Sequence, residues 1–247
     1  MHYMERNREK RADPTLLYPG ARSVICLLLG YKPSRTMSGQ HLIAQFAYFD
    51  DYHTRIKPML HNLSALIADH YPEFSAKPCV DTVPICEKHW AANAGLGWIG
   101  RNTLLINPLY GSYVFLAELV TTSPADHYDS PMPNRCPPHC NICRNACPNQ
   151  ALSDIGLDAN RCTAYQTIEC RDNCTVDNPS YAFGCDLCQT QCPFNINAPA
   201  TRPTDDLTLQ RLQSLPYLSE DEYNHSTNNT PLQRITFEKW QKNLLHK

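Results

Sequence analysis

No stretch of this 247-residue chain runs to about 18 apolar residues, so no membrane-spanning helix is expected. The opening residues, MHYMERNREKRADP, carry no hydrophobic leader, which points to a cytoplasmic and therefore reducing setting. Charge of one sign is missing too: 22 Lys/Arg stand against 24 Asp/Glu, a net −2 that by itself gives no argument for a nucleic-acid partner. No G-x-x-x-x-G-K-[ST] occurs, which removes a P-loop. What the chain has in quantity is cysteine, 13 of them, and disulfides explain thirteen thiols poorly in a reducing compartment. That shifts the reading toward metal. With 42% hydrophobic and 19% charged residues, one large or two ordinary globular domains are expected.

Apolar patterning divides the chain. VICLLLGY (24–31) reads as a buried strand. In 51–71, Ile56, Leu60, Leu63 and Ile67 recur at helical spacing, with Pro58 early. CVDTVP (79–84) reads as a strand end, ICEKHWAANAG as a helix, and NTLLINP with SYVFLAELVTT as a hairpin turning near Gly111. Residues 1–130 thus form one α/β unit. A proline-rich break separates it from 131–198, which hold every cysteine after Cys86. Residues 199–247 read as a polar tail ending in a short helix.

The cysteines fall into a pattern with chemical meaning. CPPHCNICRNACP (136–148) is C-x3-C-x2-C-x3-C-P, and CDLCQTQCP (185–193) is C-x2-C-x3-C-P. In two-cluster ferredoxins three cysteines of a run bind one iron–sulfur cluster and the fourth, before proline, binds the other. Applied here, Cys136, Cys140, Cys143 and Cys192 hold one [4Fe–4S] cluster, and Cys147, Cys162, Cys185 and Cys188 hold the second. Structural zinc also uses paired thiolates, but the two C-x3-C-P endings and eight suitably placed thiols favour iron–sulfur. Two features depart from the usual spacing: the first gap is x3 rather than x2, and 22 residues separate Cys162 from Cys185. Cys170 and Cys174, in that insertion, are read as lying outside the ligand set. Cys26, Cys79 and Cys86 read as core residues.

Other signals are weaker. GLGWIG (95–100) matches G-x-G-x-x-G but follows a helical run, so a tight turn is the better reading than a nicotinamide site. Asp81, between apolar residues, is open to two readings: a helix cap, or a carboxyl whose pKa burial raises, as a general acid needs. The histidines are scattered, and Trp90, Trp98 and Trp240 read as packing residues. Residues 1–60 hold nine Lys/Arg against five Asp/Glu, and 229–247 hold four against one, which makes Arg6, Arg8, Lys10 and Arg11, or Arg234, Lys239 and Lys242, candidate phosphate contacts.

Several stretches together resemble a known family: YMERNREKR (3–11), LYPGARSVI (17–25), DDYHTRI (50–56), the block from Val80 to Leu119, CNICRNACPNQAL (140–152), RCTAYQTIE (161–169) and FGCDLCQTQCPFN (183–195). They resemble the epoxyqueuosine reductases, cobalamin-dependent iron–sulfur enzymes that finish queuosine in tRNA. The resemblance implies an α+β protein: an α/β cobalamin-binding domain like that of reductive dehalogenases, joined to a ferredoxin-like domain with two [4Fe–4S] clusters. It makes Asp81 the proton donor and the GLGWIGRNTLL segment part of a cobalamin site, with Arg101, Asn102, Thr103, Tyr52 and His53 as contacts. It also implies a tRNA carrying epoxyqueuosine and an electron donor as partners, a monomer, and a further N-terminal segment ahead of YMER. Two rivals are a corrinoid reductive dehalogenase, usually exported behind a twin-arginine signal absent here, and a plain ferredoxin-type electron carrier, which leaves 1–125 without a purpose.

Overall fold

The computed structural model of the chain describes residues 6–171 and 180–245. Two short helices, α1 (Arg8–Ala12) and α2 (Pro14–Leu17), lead into strand β1 (Ser23–Gly30). Then follow β2 (Leu42–Ile43), α3 (Tyr52–His70), β3 (Ala76–Cys79), α4 (Glu87–Asn93), β4 (Trp98–Ile99), β5 (Leu105–Ile106) and β6 (Val114–Thr121). The cysteine-bearing stretch carries α5 (Ile142–Asn145), β7 (Leu152–Ser153), β8 (Gly156–Leu157), α6 (Thr163–Ile168), β9 (Tyr181–Phe183), α7 (Leu187–Thr190) and α8 (Pro193–Ile196). Helices α9 (Asp206–Ser214), α10 (Glu220–Ser226) and α11 (Phe237–Leu245) complete an α+β protein.

The main sheet has strand order β1-β6-β3, with both pairings antiparallel. Strand β6 lies in the centre because its eight residues are the apolar run VFLAELVT. Alternation sends its side chains to opposite faces. Ala117 and Leu119 meet Ile56 and Leu60 of α3, while Val120 meets Ile85 and Trp90 on the α4 side. Full burial of Ile56 and Leu60 is worth about 1.5–3 kcal/mol each. Strand β1 differs from expectation: its side chains are only half-buried, because it is the sheet's edge.

The expected hairpin is also re-partnered. The turn at Gly111 forms, with reciprocal bonds between Asn107 and Gly111, but β5 pairs with β4, and β6 takes β1 and β3 instead. Two residues of β5 cannot compete with the eight-rung ladder between β1 and β6. Gly111 has φ +62°, and a Cβ there would lie 1.9 Å from Asn195 Oδ1. That closeness docks the second cysteine run. Asn195 accepts the Ser112 N–H (2.7 Å) and donates to Ser112 Oγ (2.9 Å) and to the Gln189 carbonyl (2.7 Å), all buried between Cys188 and the sheet unit.

Residues 199–245 do not trail. Leu209, Leu212, Leu215, Tyr223, Leu232 and Trp240 share one core with Ile43, Ala47 and Tyr48 and with Ala182 and Phe183. Strands β2 and β9 pair in parallel within it. The chain therefore closes a ring from its first third through the cysteine stretch to its last helix. Of the three tryptophans, Trp98 and Trp240 are fully buried and Trp90 packs under the sheet. Among the described residues no helix is long and apolar enough to cross a membrane.

Candidate active site

Strand β3 ends at Cys79, Val80 is buried, and the chain then turns sharply through Asp81 at φ +50°. The left-handed region is tolerated best by Gly, Asn and Asp. Asp81 does not cap α4: the N-cap is Cys86, which makes no side-chain cap bond. The contact runs the other way. The Asp81 N–H donates to Oε1 of Glu87, the first residue of α4, at 2.6 Å.

The Asp81 side chain meets α3. Asp51 caps that helix by accepting the His53 N–H, and the same oxygen lies 2.7 Å from His53 Nδ1. His53 Nε2, on the other side of the ring, lies 3.3 Å from Asp81 Oδ2, although not aligned as a good hydrogen bond. The Tyr52 hydroxyl faces Asp81 as well. Tyr52 stacks on His53 at 4.2 Å and on Phe115 at 4.3 Å, which fixes both rings against the sheet.

These contacts reverse one expectation. The facing His53 draws the Asp81 carboxyl down by more than burial pushes it up, so the carboxyl sits below its usual range. His53, facing Asp81 and Asp51, is raised above its usual value in spite of burial. The arrangement therefore favours the proton on His53 over Asp81, one contact away. Glu87 differs again: burial pushes it up to about 7.

Asp81, His53, Tyr52, Glu87, Lys88 and Thr103 line one cavity of about 1060 Å³, together with Phe46, Phe183, Pro231 and Arg234. Arg234 comes from the C-terminal segment and is held there by Glu169 at 2.9 Å. Lys88 Nζ donates to the Thr103 carbonyl at 2.8 Å, which ties α4 to the Thr103 turn.

Arg101 and Asn102 face elsewhere. They line a separate cavity of about 80 Å³ whose wall contains Cys136, Cys140, Cys143 and Cys192. The Arg101 guanidinium donates to the Pro138 carbonyl within the first cysteine run. Asn102 is buried, with Oδ1 accepting the Leu104 N–H at 3.3 Å. The glycines of GLGWIG serve close packing: a Cβ on Gly97 would lie 2.2 Å from the Ile106 carbonyl, and one on Gly100 would lie 2.4 Å from the Ile106 side chain.

The thiols gather into two sets. Cys143 interacts electrostatically with Cys140 and Cys136, and Cys192 with Cys136 and Cys143. Cys185 interacts with Cys162 and Cys147, and Cys188 with Cys185 and Cys162. Cys188 also feels Cys143, which marks where the two sets approach. Burial is the main influence on each of these four thiols, and it pushes Cys185 up to about 12. Among the described residues no three His, Cys, Asp or Glu side chains converge on the position of a single ion. Cys170 borders a separate groove with Arg171 and Lys239, and Cys174 lies outside the described residues.

Asp51 and Glu87, with Glu118 buried on β6 near Glu87, were not legible as titratable groups of this region. Asp51 had a signal, an Asp just ahead of a helical pattern with His two positions on. Glu87 and Glu118 look like ordinary helix and strand residues until the tertiary contacts bury them.

Residues 11–82 match the family model described as Epoxyqueuosine reductase QueG, DUF1730. The epoxyqueuosine reductases of Cyclobacterium marinum (34% identical, covering 99% of this chain and 82% of the relative) and Pseudomonas aeruginosa (36%, 99% and 72%) are similar over almost the whole chain. That of Cellulophaga algicola is 39% identical over 79% of this chain, and the match spans 65% of the relative's length, just under two thirds. The structure is similar to that of epoxyqueuosine reductase from Streptococcus thermophilus (TM-score 0.84, 27% identity, 97% of this chain and 67% of that one). It is also similar to an epoxyqueuosine reductase solved with an epoxyqueuosine-modified tRNA-Tyr stem loop (TM-score 0.79, 28% identity, 96% and 66%). On this breadth of similarity the chain belongs to the epoxyqueuosine reductase family.

Proposed function

We propose that the chain reduces epoxyqueuosine to queuosine in a tRNA anticodon loop, with cobalamin in the large cavity and two [4Fe–4S] clusters beside it. The observation that carries the reading is the Asp51–His53–Asp81 cluster facing a cavity of about 1060 Å³, at the upper end of ligand-site volumes. A corrin ring with a nucleoside needs such a space. Tyr52, His53 and Thr103 are the expected contacts that line it, and they would hold the corrinoid there. Bound, cobalamin would supply a strong nucleophile toward an electrophilic carbon.

The two thiol sets suit iron–sulfur chemistry. Cys136, Cys140, Cys143 and Cys192 surround one apolar cavity, and Cys147, Cys162, Cys185 and Cys188 form the second group. Arg101 and Asn102 then belong to the wall of the first cluster rather than to the corrinoid. The clusters would pass single electrons inward.

The protein's own share is position, dryness and the proton. An epoxide oxygen is a poor leaving group until it is protonated. Asp81, at the cavity edge and 47% exposed on its side chain, is placed to deliver a proton that His53 stores and Asp51 orients. Arg6, Arg8 and Lys10, exposed near α1, remain available for tRNA phosphates. Arg234 and Lys242 already face Glu169 and Glu238. We place this activity in the cytoplasm, in a monomer served by a separate electron donor.

Cobalamin retention tests the reading. The anaerobically reconstituted chain, mixed with cobalamin and passed through gel filtration, is expected to carry the corrinoid absorbance with the protein peak. Elution of all corrinoid with the small molecules would sink the assignment.

A further inference from the structure

Removing an epoxide oxygen consumes two electrons and two protons. When the first C–O bond opens, the oxygen becomes a hydroxyl by taking one proton. When the second C–O bond breaks, the carbon–carbon double bond forms and the oxygen leaves as hydroxide, which becomes water only by taking another. The electrons come from the reductant that charges the clusters. The His53–Asp81 pair accounts for one proton.

A second carboxyl borders the same cavity. Glu87 stands at the start of α4, and its Oε1 accepts the Asp81 N–H at 2.6 Å, which leaves its other oxygen for the cavity. Among the described residues no cation forms an ion pair with it, since its neighbour Lys88 is turned to the Thr103 carbonyl. Behind it lies Glu118, on the α4 face of β6 between Cys26 and Cys79. Glu118 is fully buried, and neither of its oxygens has a hydrogen-bond partner. A carboxyl in that state stays neutral.

We propose that Glu87 is the second acid of the reduction: it gives its proton to the departing oxygen while its other oxygen holds the Asp81 turn in place. The inference rests on the reading of the cavity as the epoxide-reducing site. A protonated carboxyl has one acceptor oxygen and one O–H, so the two roles fit a single side chain. The charged and titratable groups facing it are Asp81 from the turn, Tyr52 and His53 from α3, Lys88 from its own helix, and Glu118 and Cys79 from the sheet. Burial, helped by the Asp81 charge, outweighs the Asp81 N–H bond, His53 and Lys88 and keeps the proton on Glu87 up to about pH 7.

Single-turnover reduction of an epoxyqueuosine stem-loop, followed between about pH 6 and about pH 8.5 in wild type, Glu87→Gln and Glu87→Ala, tests this. The wild-type rate is expected to fall as pH rises through about 7. Glu87→Gln still accepts the Asp81 N–H but has no proton to give, so it is expected to lose about 10²-fold or more and to lose the Glu87 step of that fall, leaving only the step that belongs to His53. Equal rates and profiles for Glu87→Gln and wild type would overturn the inference, leaving Glu87 a pin whose loss is felt only in Glu87→Ala. A ¹³C NMR titration of the Glu87 carboxyl in the reconstituted chain is the second readout. A midpoint near 7 supports the proposal, and one in the ordinary carboxylate range overturns it even if Glu87→Gln fails to fold. If the wild-type chain leaves the stem-loop unreduced, the assigned function falls and takes this inference with it. If wild type reduces it and Glu87→Gln does so equally well, only the inference falls.

Discussion

Asp81→Asn separates proton delivery from folding more cleanly than other changes in this site. The backbone there is left-handed at φ +50°, a conformation Asn also adopts readily, so the turn survives. The backbone bond to Glu87 does not involve the side chain and survives too. What goes is the carboxylate facing His53. Because Asp81 is 47% exposed and the pair is not well aligned, its loss costs stability no more than about 1 kcal/mol. Turnover is different. General acid catalysis is typically worth about 10²–10⁴-fold, or about 2.7–5.4 kcal/mol of barrier, and the amide has no proton to pass. Single-turnover rates with the epoxyqueuosine stem-loop, alongside urea unfolding, test both halves. We expect a rate loss in that range with nearly unchanged stability and full cobalamin and iron content. A wild-type rate would reduce Asp81 to a structural turn, and loss of cobalamin would make its role one of binding.

Four further outcomes follow from the same contacts. Cys188→Ser is expected to lower iron content from about eight per chain, while Cys170→Ser leaves it nearly unchanged; the reverse order would refute the ligand grouping. Glu118 has its pKa pushed up by burial from 4.5 to about 9, so the folded state prefers it protonated, and stability present below 4.5 is lost as pH rises through about 9. Glu118→Gln is therefore expected to flatten the fall in unfolding free energy between about pH 5 and about pH 8 by a few kcal/mol, and an unchanged slope in urea titrations would contradict it. Gly111→Ala places a methyl 1.9 Å from Asn195 Oδ1, so a thermal-melt loss equivalent to about 1–3 kcal/mol is expected, and a neutral result would mean the second cysteine run is not docked there. Stem-loop affinity is expected to weaken between low and moderate salt through contacts from Arg6, Arg8 and Lys10, and a flat binding constant would remove phosphate contacts from the account.

What the sequence made legible was what depends on near neighbours. Strand β6 and helix α3 could be read because period-2 and period-3.6 patterning are local signals. Tyr52, His53, Asp81 and Thr103, expected from family resemblance, do meet in one cavity. Arg101 and Asn102, adjacent to Thr103 in sequence, point to the other cavity because the Thr103 turn, at φ +64°, reverses the chain there. The pairing of β2 with β9 joins residues about 140 apart and left no local trace. The apolar residues of 199–247 are diluted by polar neighbours on the outer faces of short helices, which made a packed segment look like a tail. The sign of the Asp81 shift was out of reach for a similar reason: flanking valines speak for burial, whereas the deciding contact is with His53, 28 residues earlier.

The central claim is that this chain removes the epoxide oxygen itself, and mass analysis of the nucleoside tests it most directly. The reconstituted protein, with cobalamin, a chemical reductant and an epoxyqueuosine-bearing anticodon stem-loop, is predicted to yield queuosine, lighter by one oxygen atom, in amounts that grow with time and vanish when cobalamin is withheld. Unchanged epoxyqueuosine after prolonged incubation, from protein that retains both clusters and the corrinoid, would contradict it.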